Sequence, residues 1–245
     1  MNTPYKTYMN WSSGKDSCLA LYHMLKDETF SVDTLVTTLN DELERVSMHG
    51  LPKQLLFEQV KQLSIPLHTI NLPGVVSMEQ YGSIMKQHVT LLKQEGYTHA
   101  AFGDIFLEDL KKYREDQLRS QGIQAVFPLW GRDSKELILE FIALGFKAIT
   151  ISVNDRLLGK DFVGRIIDEA FVNDLPSGVD PSGENGEFHT FVYDGPNFKD
   201  PVSFSVGEKV LKDFSHASGS KNDHPSKPAN TSWDTAFWFC DLIPD

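Results

Sequence analysis

Cysteine is scarce in this sequence, since only Cys18 and Cys240 occur among 245 residues. Two thiols that far apart, in no metal-ligand spacing, exclude a disulfide framework. No apolar run approaches the length of a membrane span, and the first residues lack the apolar segment of a signal peptide. We therefore expect a cytoplasmic protein with no membrane partner.

Positively charged residues are also few, since the chain has 23 Lys and Arg against 34 Asp and Glu, which gives a net charge of −11. That balance disfavours a broad electrostatic footprint for DNA or tRNA, so no nucleic-acid partner is expected. Apolar residues make up 40% of the chain, an ordinary share that lets it bury a core without crosslinks. The composition is compatible with a homo-oligomer.

Strand and helix patterns alternate along the first part of the chain. The predicted strands cover residues 5–11, 32–39, 66–70, 99–102, 123–127 and 146–153. The predicted helices cover residues 16–26, 51–63, 78–95, 107–120 and 134–144. This alternation, with short connections, predicts an α/β fold with a Rossmann-like parallel sheet covered by helices, and ligands bind such sheets beyond the carboxyl ends of the strands.

The alternation stops near residue 155, so we predict one domain over residues 1–155 and a smaller, mixed α+β portion over residues 156–245. The second portion is predicted to hold a helix, a glycine- and acid-rich loop and four strands, at residues 162–171, 176–186, 188–193, 202–206, 209–214 and 235–242. The tail strands are expected to be antiparallel. The polar segment 215–232 is predicted to be a mobile loop.

The first motif is Ser12-Ser13-Gly14-Lys15-Asp16-Ser17, between the first predicted strand and the first predicted helix. Small residues allow a tight turn, and the helix that follows presents free N–H groups to an anion, so the segment is typical of a phosphate loop. Lys15 adds positive charge, Ser17 a hydroxyl and Asp16 a carboxylate able to bind Mg²⁺. The alternative is a plain helix N-terminus with Ser12 or Ser13 as the N-cap.

The second motif carries two carboxylates and a histidine, Glu184, Glu187 and His189, with Gly183 and Gly186 around the first carboxylate. Such groups are able to position an amine or take its proton during attack on an activated carbonyl, which makes all three candidate catalytic residues. The alternative is an acidic loop in which Glu187 and His189 form a local hydrogen-bonded pair.

Other candidates stand after predicted strands. Gly103 and Asp104 are placed to meet a nucleotide or its metal, although Asp104 also suits the N-cap of the next helix. Arg45 and His49 are candidate substrate-binding residues, with surface or packing positions as the alternative. Trp130 is placed either to stack on a ring or to join the core.

Four segments together resemble the diphthine–ammonia ligase family of the PP-loop ATP pyrophosphatase superfamily. They are Trp11 to Ser17, Gly103-Asp104-Ile105, Pro128-Leu129-Trp130 and Gly183-Glu-Asn-Gly-Glu-Phe-His-Thr190. The resemblance covers about residues 5 to 200 and implies an adenine nucleotide α-hydrolase-like fold. It implies ATP-dependent amidation of a carboxylate by ammonia through an acyl-adenylate, with AMP and pyrophosphate released. The carboxylate is diphthine of elongation factor 2 where the source organism makes diphthamide, and otherwise it is unknown.

The resemblance also implies roles for residues of both motifs. Ser12, Gly14, Asp16 and Ser17 would bind the pyrophosphate portion of ATP and Mg²⁺, with Asp16 as the metal ligand, while Glu184, Glu187 and His189 would line the acceptor or ammonia side. The chain departs from the usual pattern at Ser13, where the family more often has Gly, and at Ser182, where it often has Cys. Two alternatives stay open: a PP-loop enzyme that modifies tRNA or a small molecule, and an ATP or AMP sensor without turnover.

Overall fold

A computed structural model describes residues 3–47, 50–213 and 236–245 of the chain. The strands are β1 Tyr5–Asn10, β2 Phe30–Asn40, β3 Arg45–Val46, β4 Leu67–Leu72, β5 His99–Ala101, β6 Gln124–Val126, β7 Lys147–Asn154, β8 Phe188–Asp194, β9 Phe204–Asp213 and β10 Ala236–Pro244. The helices are α1 Lys15–Lys26, α2 Lys53–Leu63, α3 Met78–Gln94, α4 Glu108–Arg119, α5 Ser134–Ala143 and α6 Glu169–Asp174. No helix among the described residues has the length and apolarity needed to cross a membrane.

The first sheet is predominantly parallel. Strands β4, β2, β1, β5 and β6 run parallel side by side, and the two-residue β3 pairs antiparallel with the end of β2. The chain moves from β1 to β2 on one side, then returns to place β5 on the other side of β1. The point where the strand order reverses therefore lies between β1 and β5, where open α/β sheets bind ligands.

Helices cover both faces of this sheet because alternate side chains of its strands point to opposite faces. Met9 of β1 packs with Leu21 of α1 and Leu56 of α2, whereas its neighbour Tyr8 packs in a second cluster with Val89 of α3 and Leu118 of α4. The α/β class and the parallel sheet covered by helices are thus confirmed.

The second sheet is antiparallel, in the order β8, β7, β10 and β9. Its inner face belongs to the same apolar cluster as α1 and α2. The placement of β7 in the parallel sheet, expected from the strand–helix alternation, is wrong. Its buried apolar run is equally suited to either kind of sheet, so the sequence pattern does not identify its partners.

The helix predicted over residues 162–171 is also wrong. Gly164 has φ +73° and its N–H donates to the carbonyl of Thr150 at 2.8 Å, so the chain runs along β7 there as an irregular segment. A helix begins only after Asp168, whose carboxylate accepts the N–H of Phe171 at 2.7 Å. The two tail strands predicted over residues 202–214 form one strand, β9.

The second sheet already begins at Lys147, although the division of the chain into two domains at residue 155 stays a prediction. The loop predicted at residues 215–232 lies outside the described residues.

Candidate functional site

The segment Ser12–Ser17 joins β1 to α1 next to the reversal of strand order. The N-cap of α1 is Gly14, and no side chain caps it, so the alternative that Ser12 or Ser13 is the N-cap is wrong. The hydroxyl of Ser12 accepts the N–H of Gly14 at 3.3 Å and lies 3.0 Å from the hydroxyl of Ser17. The first motif is therefore a turn stabilised by its own serines, followed at once by a helix N-terminus.

Ser13 adopts the left-handed backbone conformation that glycine supplies without strain. Its φ is +67°, which costs a serine about 1 kcal/mol. The residue is 1% exposed, and the N–H of Val192 in β8 donates to its carbonyl at 3.0 Å. The surrounding structure therefore holds a serine in a conformation that glycine adopts without strain.

Lys15 and Asp16 form an ion pair at the start of α1. The Lys15 ammonium donates to both carboxylate oxygens of Asp16, at 2.8 and 2.7 Å. The side chain of Lys15 is 4% exposed and that of Asp16 is 31% exposed. Enclosure raises the pKa of Asp16, and the charge of Lys15 opposes that rise. Asp16 is thus the part of the pair that an incoming ligand meets.

Asp104 follows β5 and is 8% exposed. Its carboxylate lies 3.0 Å from Nε of Arg114 and accepts from Nη2 of the same guanidinium at 3.2 Å. The N-cap of α4 is Leu107, so the alternative that Asp104 caps this helix is wrong. Arg114 was not predicted as a site residue, because an arginine on the polar surface of a helix gives no signal of its partner.

Glu184 reaches the same edge of the sheet from the other half of the chain. Its Oε1 accepts the N–H of Ile105, which follows Asp104, at 2.9 Å. Burial, and next the negative charge of Asp16, raise the pKa of Glu184 to about 8. The carboxyl group therefore holds its proton to a higher pH than an ordinary glutamate does, in a site that also contains Asp16.

Glu187 is a buried support of the second motif. The residue is 2% exposed, and its Oε1 accepts from the N–H of Asp180 at 3.0 Å and from Nδ2 of Asn185 at 3.1 Å. Asp180 in turn accepts the N–H of Glu184 at 2.9 Å. Glu187 thus fixes the loop that carries Glu184, while His189 lies in β8, where it is paired in register with Ser152 of β7.

A direct hydrogen bond joins the two motifs. The N–H of Lys15, in the first turn of α1, donates to Oγ1 of Thr190 at 3.1 Å. A Cβ on Gly14 would lie 3.3 Å from the carbonyl of Thr190, so the absence of a side chain there permits the approach. Residues 175 positions apart in sequence therefore build one site.

A separate cleft of about 520 Å³ lies between the two sheets. Arg45 lines it together with Tyr81 of α3, Val210 of β9 and Phe239 of β10, and residues 12–17 do not. Nη1 of Arg45 donates to the carbonyl of Gly50 at 2.6 Å and lies 3.0 Å from Asp241. The structure thus places Arg45 apart from the phosphate loop, while His49 lies outside the described residues.

Trp130 is half-buried beside α4. Its ring lies 5.8 Å from that of Phe127, and the ammonium of Lys111 lies 4.5 Å from its centroid. Within the described parts of the chain, no three His, Cys, Asp or Glu side chains are grouped so that they could hold a metal ion.

A parallel sheet with this strand–loop–helix turn at its reversal point defines an open α/β protein, a class that binds its ligands at this edge of the sheet. Residues 5–125 match the diphthamide synthase N-terminal domain, and residues 133–218 match the diphthamide synthase C-terminal domain. The chain therefore belongs to the diphthine–ammonia ligase family.

Curated relatives are similar in sequence to this chain along most of their length. A diphthine–ammonia ligase of Danio rerio is 25% identical over 224 residues, covering 82% of this chain and 86% of the relative. Its counterpart in Mus musculus is 27% identical over 225 residues, with 82% and 83% coverage. The ranges of the two family models contain both motifs.

Two solved structures show weaker similarity. A predicted subunit of tRNA methyltransferase from Methanocaldococcus jannaschii is 20% identical, with a TM-score of 0.42, and the match covers 60% of this chain and 80% of that one. The U34-tRNA thiolase NcsA from Methanococcus maripaludis is 17% identical, with a TM-score of 0.35 and coverage of 58% and 57%. Neither similarity says what this chain does.

Proposed function

We propose that this protein is an ATP-dependent amide-forming ligase of the diphthine–ammonia ligase type. It would convert a carboxylate to an acyl-adenylate, release pyrophosphate, and let ammonia displace AMP to form the amide. The observation that carries this proposal is the hydrogen bond from the Lys15 N–H to Thr190, which puts the second motif against the phosphate loop.

The loop suits the pyrophosphate portion of ATP. The first turn of α1 places the positive end of the helix dipole beside the turn that Ser12, Gly14 and Ser17 form. The N–H groups of Gly14 and Lys15 are bonded to Ser12 and Thr190, so the dipole and the charge of Lys15 would act on the phosphates in their place. Lys15 adds a buried positive charge. The carbonyl of Ser13 points to β8, where it accepts the N–H of Val192. These groups would stabilise negative charge as the bond between the α and β phosphates breaks.

The donor set also fits Mg²⁺. Asp16 offers carboxylate oxygens beside the loop, and in nucleotide sites this ion is commonly held by one or two carboxylates together with phosphate oxygens. When bound, the ion would neutralise part of the phosphate charge. Gly103 and Asp104 border the same position from β5.

Activation answers a chemical difficulty in making an amide from a carboxylate. Oxide is a very poor leaving group, whereas an acyl-adenylate expels a phosphate monoester anion. The loop residues would act in the first step, in which the carboxylate attacks the α phosphate. The second step needs a neutral ammonia molecule, so a group must take the proton of ammonium.

Glu184, in its ionised form, is the group best placed to take that proton. Its Oε1 is bound by the Ile105 N–H, so Oε2 is the atom that would accept it. An ordinary glutamate is a much weaker base than ammonia, and a pKa of about 8 narrows this difference, which makes the transfer easier. Glu187 would act by holding the Glu184 loop, and a catalytic role for His189 stays a prediction.

The cleft around Arg45 is proposed to receive the acceptor. An arginine at its wall suits an acidic side chain of the acceptor protein beside the modified residue, whose own carboxylate has to reach the α phosphate at the loop. A volume of about 520 Å³ accommodates part of a protein loop. Diphthine of elongation factor 2 is the acceptor that the family name indicates. His49 follows Arg45 in sequence and stays a predicted substrate-binding residue.

The test is a turnover assay with purified protein, ATP, Mg²⁺, ammonium and elongation factor 2 carrying diphthine. We expect AMP and pyrophosphate in equal amounts, together with conversion of the acceptor's carboxylate to an amide by mass spectrometry. Omission of ammonium should stop amide formation while pyrophosphate exchange into ATP continues.

Other results of this assay would contradict the proposal or favour one of the alternative functions. Release of ADP and orthophosphate would refute cleavage between the α and β phosphates. Tight ATP binding without turnover in any mixture would favour the sensor, and AMP formation that depends on tRNA would favour the tRNA-modifying alternative. Glu184→Gln should keep pyrophosphate exchange and lower the rate of amide formation by about a hundredfold or more.

A further inference from the structure

The side chain of Gln59 lies behind the phosphate loop. Gln59 belongs to α2 and is 0% exposed. Its Oε1 accepts from Nε1 of Trp11 at 2.9 Å, and its Nε2 donates to the carbonyls of Ser13 at 3.0 Å and of Val192 at 2.6 Å. One amide therefore links the residue after β1, the loop itself and β8.

The chemistry of these partners fixes the amide in one orientation. The indole N–H of Trp11 only donates, and the carbonyls of Ser13 and Val192 only accept, so a flipped amide would face all three with the wrong atom. Both hydrogens of the amide nitrogen are used. Replacing such a buried, fully bonded group leaves its partners without hydrogen bonds, which is costly.

Gln59 acts on the strained residue of the loop. The carbonyl of Ser13 receives two donors, Gln59 Nε2 and the Val192 N–H, each at 3.0 Å. Ser13 has φ +67°, a conformation that a serine leaves when the surrounding structure does not hold it. The two hydrogen bonds fix the peptide group between Ser13 and Gly14. The first turn of α1 begins directly after it.

We propose that Gln59 is a positioning residue for the nucleotide site. By holding the carbonyl of Ser13 from α2, it keeps the loop in its ligand-binding conformation and thereby sets the affinity for pyrophosphate. The inference rests on the proposed binding of the ATP pyrophosphate by this loop. Gln59 contacts the loop from behind and is not expected to touch the nucleotide.

The test measures binding of pyrophosphate and of ATP, each with Mg²⁺, by calorimetry on the full chain. Gln59→Leu should lower the affinity for each ligand by about tenfold or more. Without the hydrogen bond from Gln59, the backbone at Ser13 relaxes, and the ligand has to restore its strained conformation on binding. In the turnover assay the KM for ATP should rise while kcat changes much less. Gln54→Leu, an exposed glutamine of the same helix, is the matched control and should bind as the parent does.

Ser13→Gly distinguishes positioning from general stability. Glycine adopts φ +67° without strain, so the double variant Ser13→Gly with Gln59→Leu should recover affinity to within about threefold of the parent. Ser13→Gly alone is the reference for the double variant, because Gln59→Leu should weaken binding less in that background than in the parent. Gln59→Glu, nearly the same in shape, offers a second loss variant, because its carboxylate would face two carbonyl oxygens.

The outcomes separate the two proposals. A parent that binds neither probe would overturn the proposed function of the loop. A parent that binds both while Gln59→Leu and Gln59→Glu bind equally well would overturn the positioning role alone. Lost affinity that Ser13→Gly fails to restore, or loss of fold in both Gln59 variants, would assign Gln59 to core stability and also overturn it.

Discussion

A Cβ atom on Gly103 would lie 2.9 Å from the backbone nitrogen of Ser17 and 2.8 Å from the backbone carbon of Asp16. Both neighbours are main-chain atoms of the first turn of α1, so they cannot rotate away as a side chain can. The end of β5 and the phosphate loop therefore meet backbone to backbone. Gly103 matters because it has no side chain, which is a role that needs no contact with the nucleotide.

Gly103→Ala should accordingly separate β5 from α1. We expect a loss of about 1–3 kcal/mol in the free energy of unfolding, together with weaker ATP binding, because the added methyl group displaces the first turn. Thermal unfolding and ATP calorimetry measure the two effects.

Gly82→Ala is the matched control, since a Cβ there meets nothing within 4 Å and the residue lies inside α3. Alanine should be neutral or stabilise the protein by about 0.5–1 kcal/mol at this helix position. A Gly103→Ala protein as stable as the parent, with unchanged ATP affinity, would show that the two segments move apart freely.

The position of Gly103 illustrates what the sequence allows one to predict. Small residues between a predicted strand and a predicted helix identified the loop at Ser12–Ser17, and the strand–helix alternation placed Gly103 at the same edge of the sheet. Both inferences use local patterns, which the chain carries within a few residues. The parallel sheet followed from the same patterns.

Partners that are distant in sequence could not be predicted in this way. The pairing of β7 with β8 and β10 depends on which apolar surfaces remain after the first sheet has formed, and a buried apolar run is the same in both sheets. Gln59 and Arg114 are ordinary polar residues of amphipathic helices. Only the packed structure shows that one supports Ser13 and the other pairs with Asp104.

Asp16 should control the dependence of ATP binding on Mg²⁺. In Asp16→Asn the side chain keeps its shape and loses the charge that a divalent cation needs, so Mg²⁺ should no longer strengthen ATP binding. Calorimetry with and without Mg²⁺ measures this difference. Equal affinity for ATP with Mg²⁺ in Asp16→Asn and the parent would refute the role of Asp16 as the metal ligand.

Glu187→Ala should spare binding of ATP with Mg²⁺ and reduce amide formation, because Glu187 supports the other motif.

The raised pKa of Glu184 should make stability depend on pH. Between the usual pKa of a glutamate and about 8, the folded protein holds a proton that the unfolded chain has lost. The free energy of unfolding therefore falls as pH rises through this window, and the loss is complete above about 8. Glu184→Gln removes this contribution, so its melting temperature should decline less steeply with pH than that of the parent.

Thermal unfolding across this pH window tests the expectation. The exposed Glu28 offers the control, because Glu28→Gln changes the net charge by the same amount outside the site and should follow the parent's slope. Parallel curves for Glu184→Gln and the parent would mean that Glu184 titrates in the folded protein as it does in the unfolded chain.

Arg45 should act on the acceptor and not on ATP. Arg45→Gln removes the positive charge from the wall of the cleft, and loss of a charge-assisted hydrogen bond to a carboxylate should raise the KM for the acceptor about tenfold. The KM for ATP should stay as in the parent, because residues 12–17 do not line this cleft. Arg119→Gln, at an arginine whose side chain is 73% exposed in α4, should change neither constant. If Arg45→Gln instead raised the KM for ATP alone, the cleft would hold part of the nucleotide, and the acceptor would have to approach the loop from the side of Glu184.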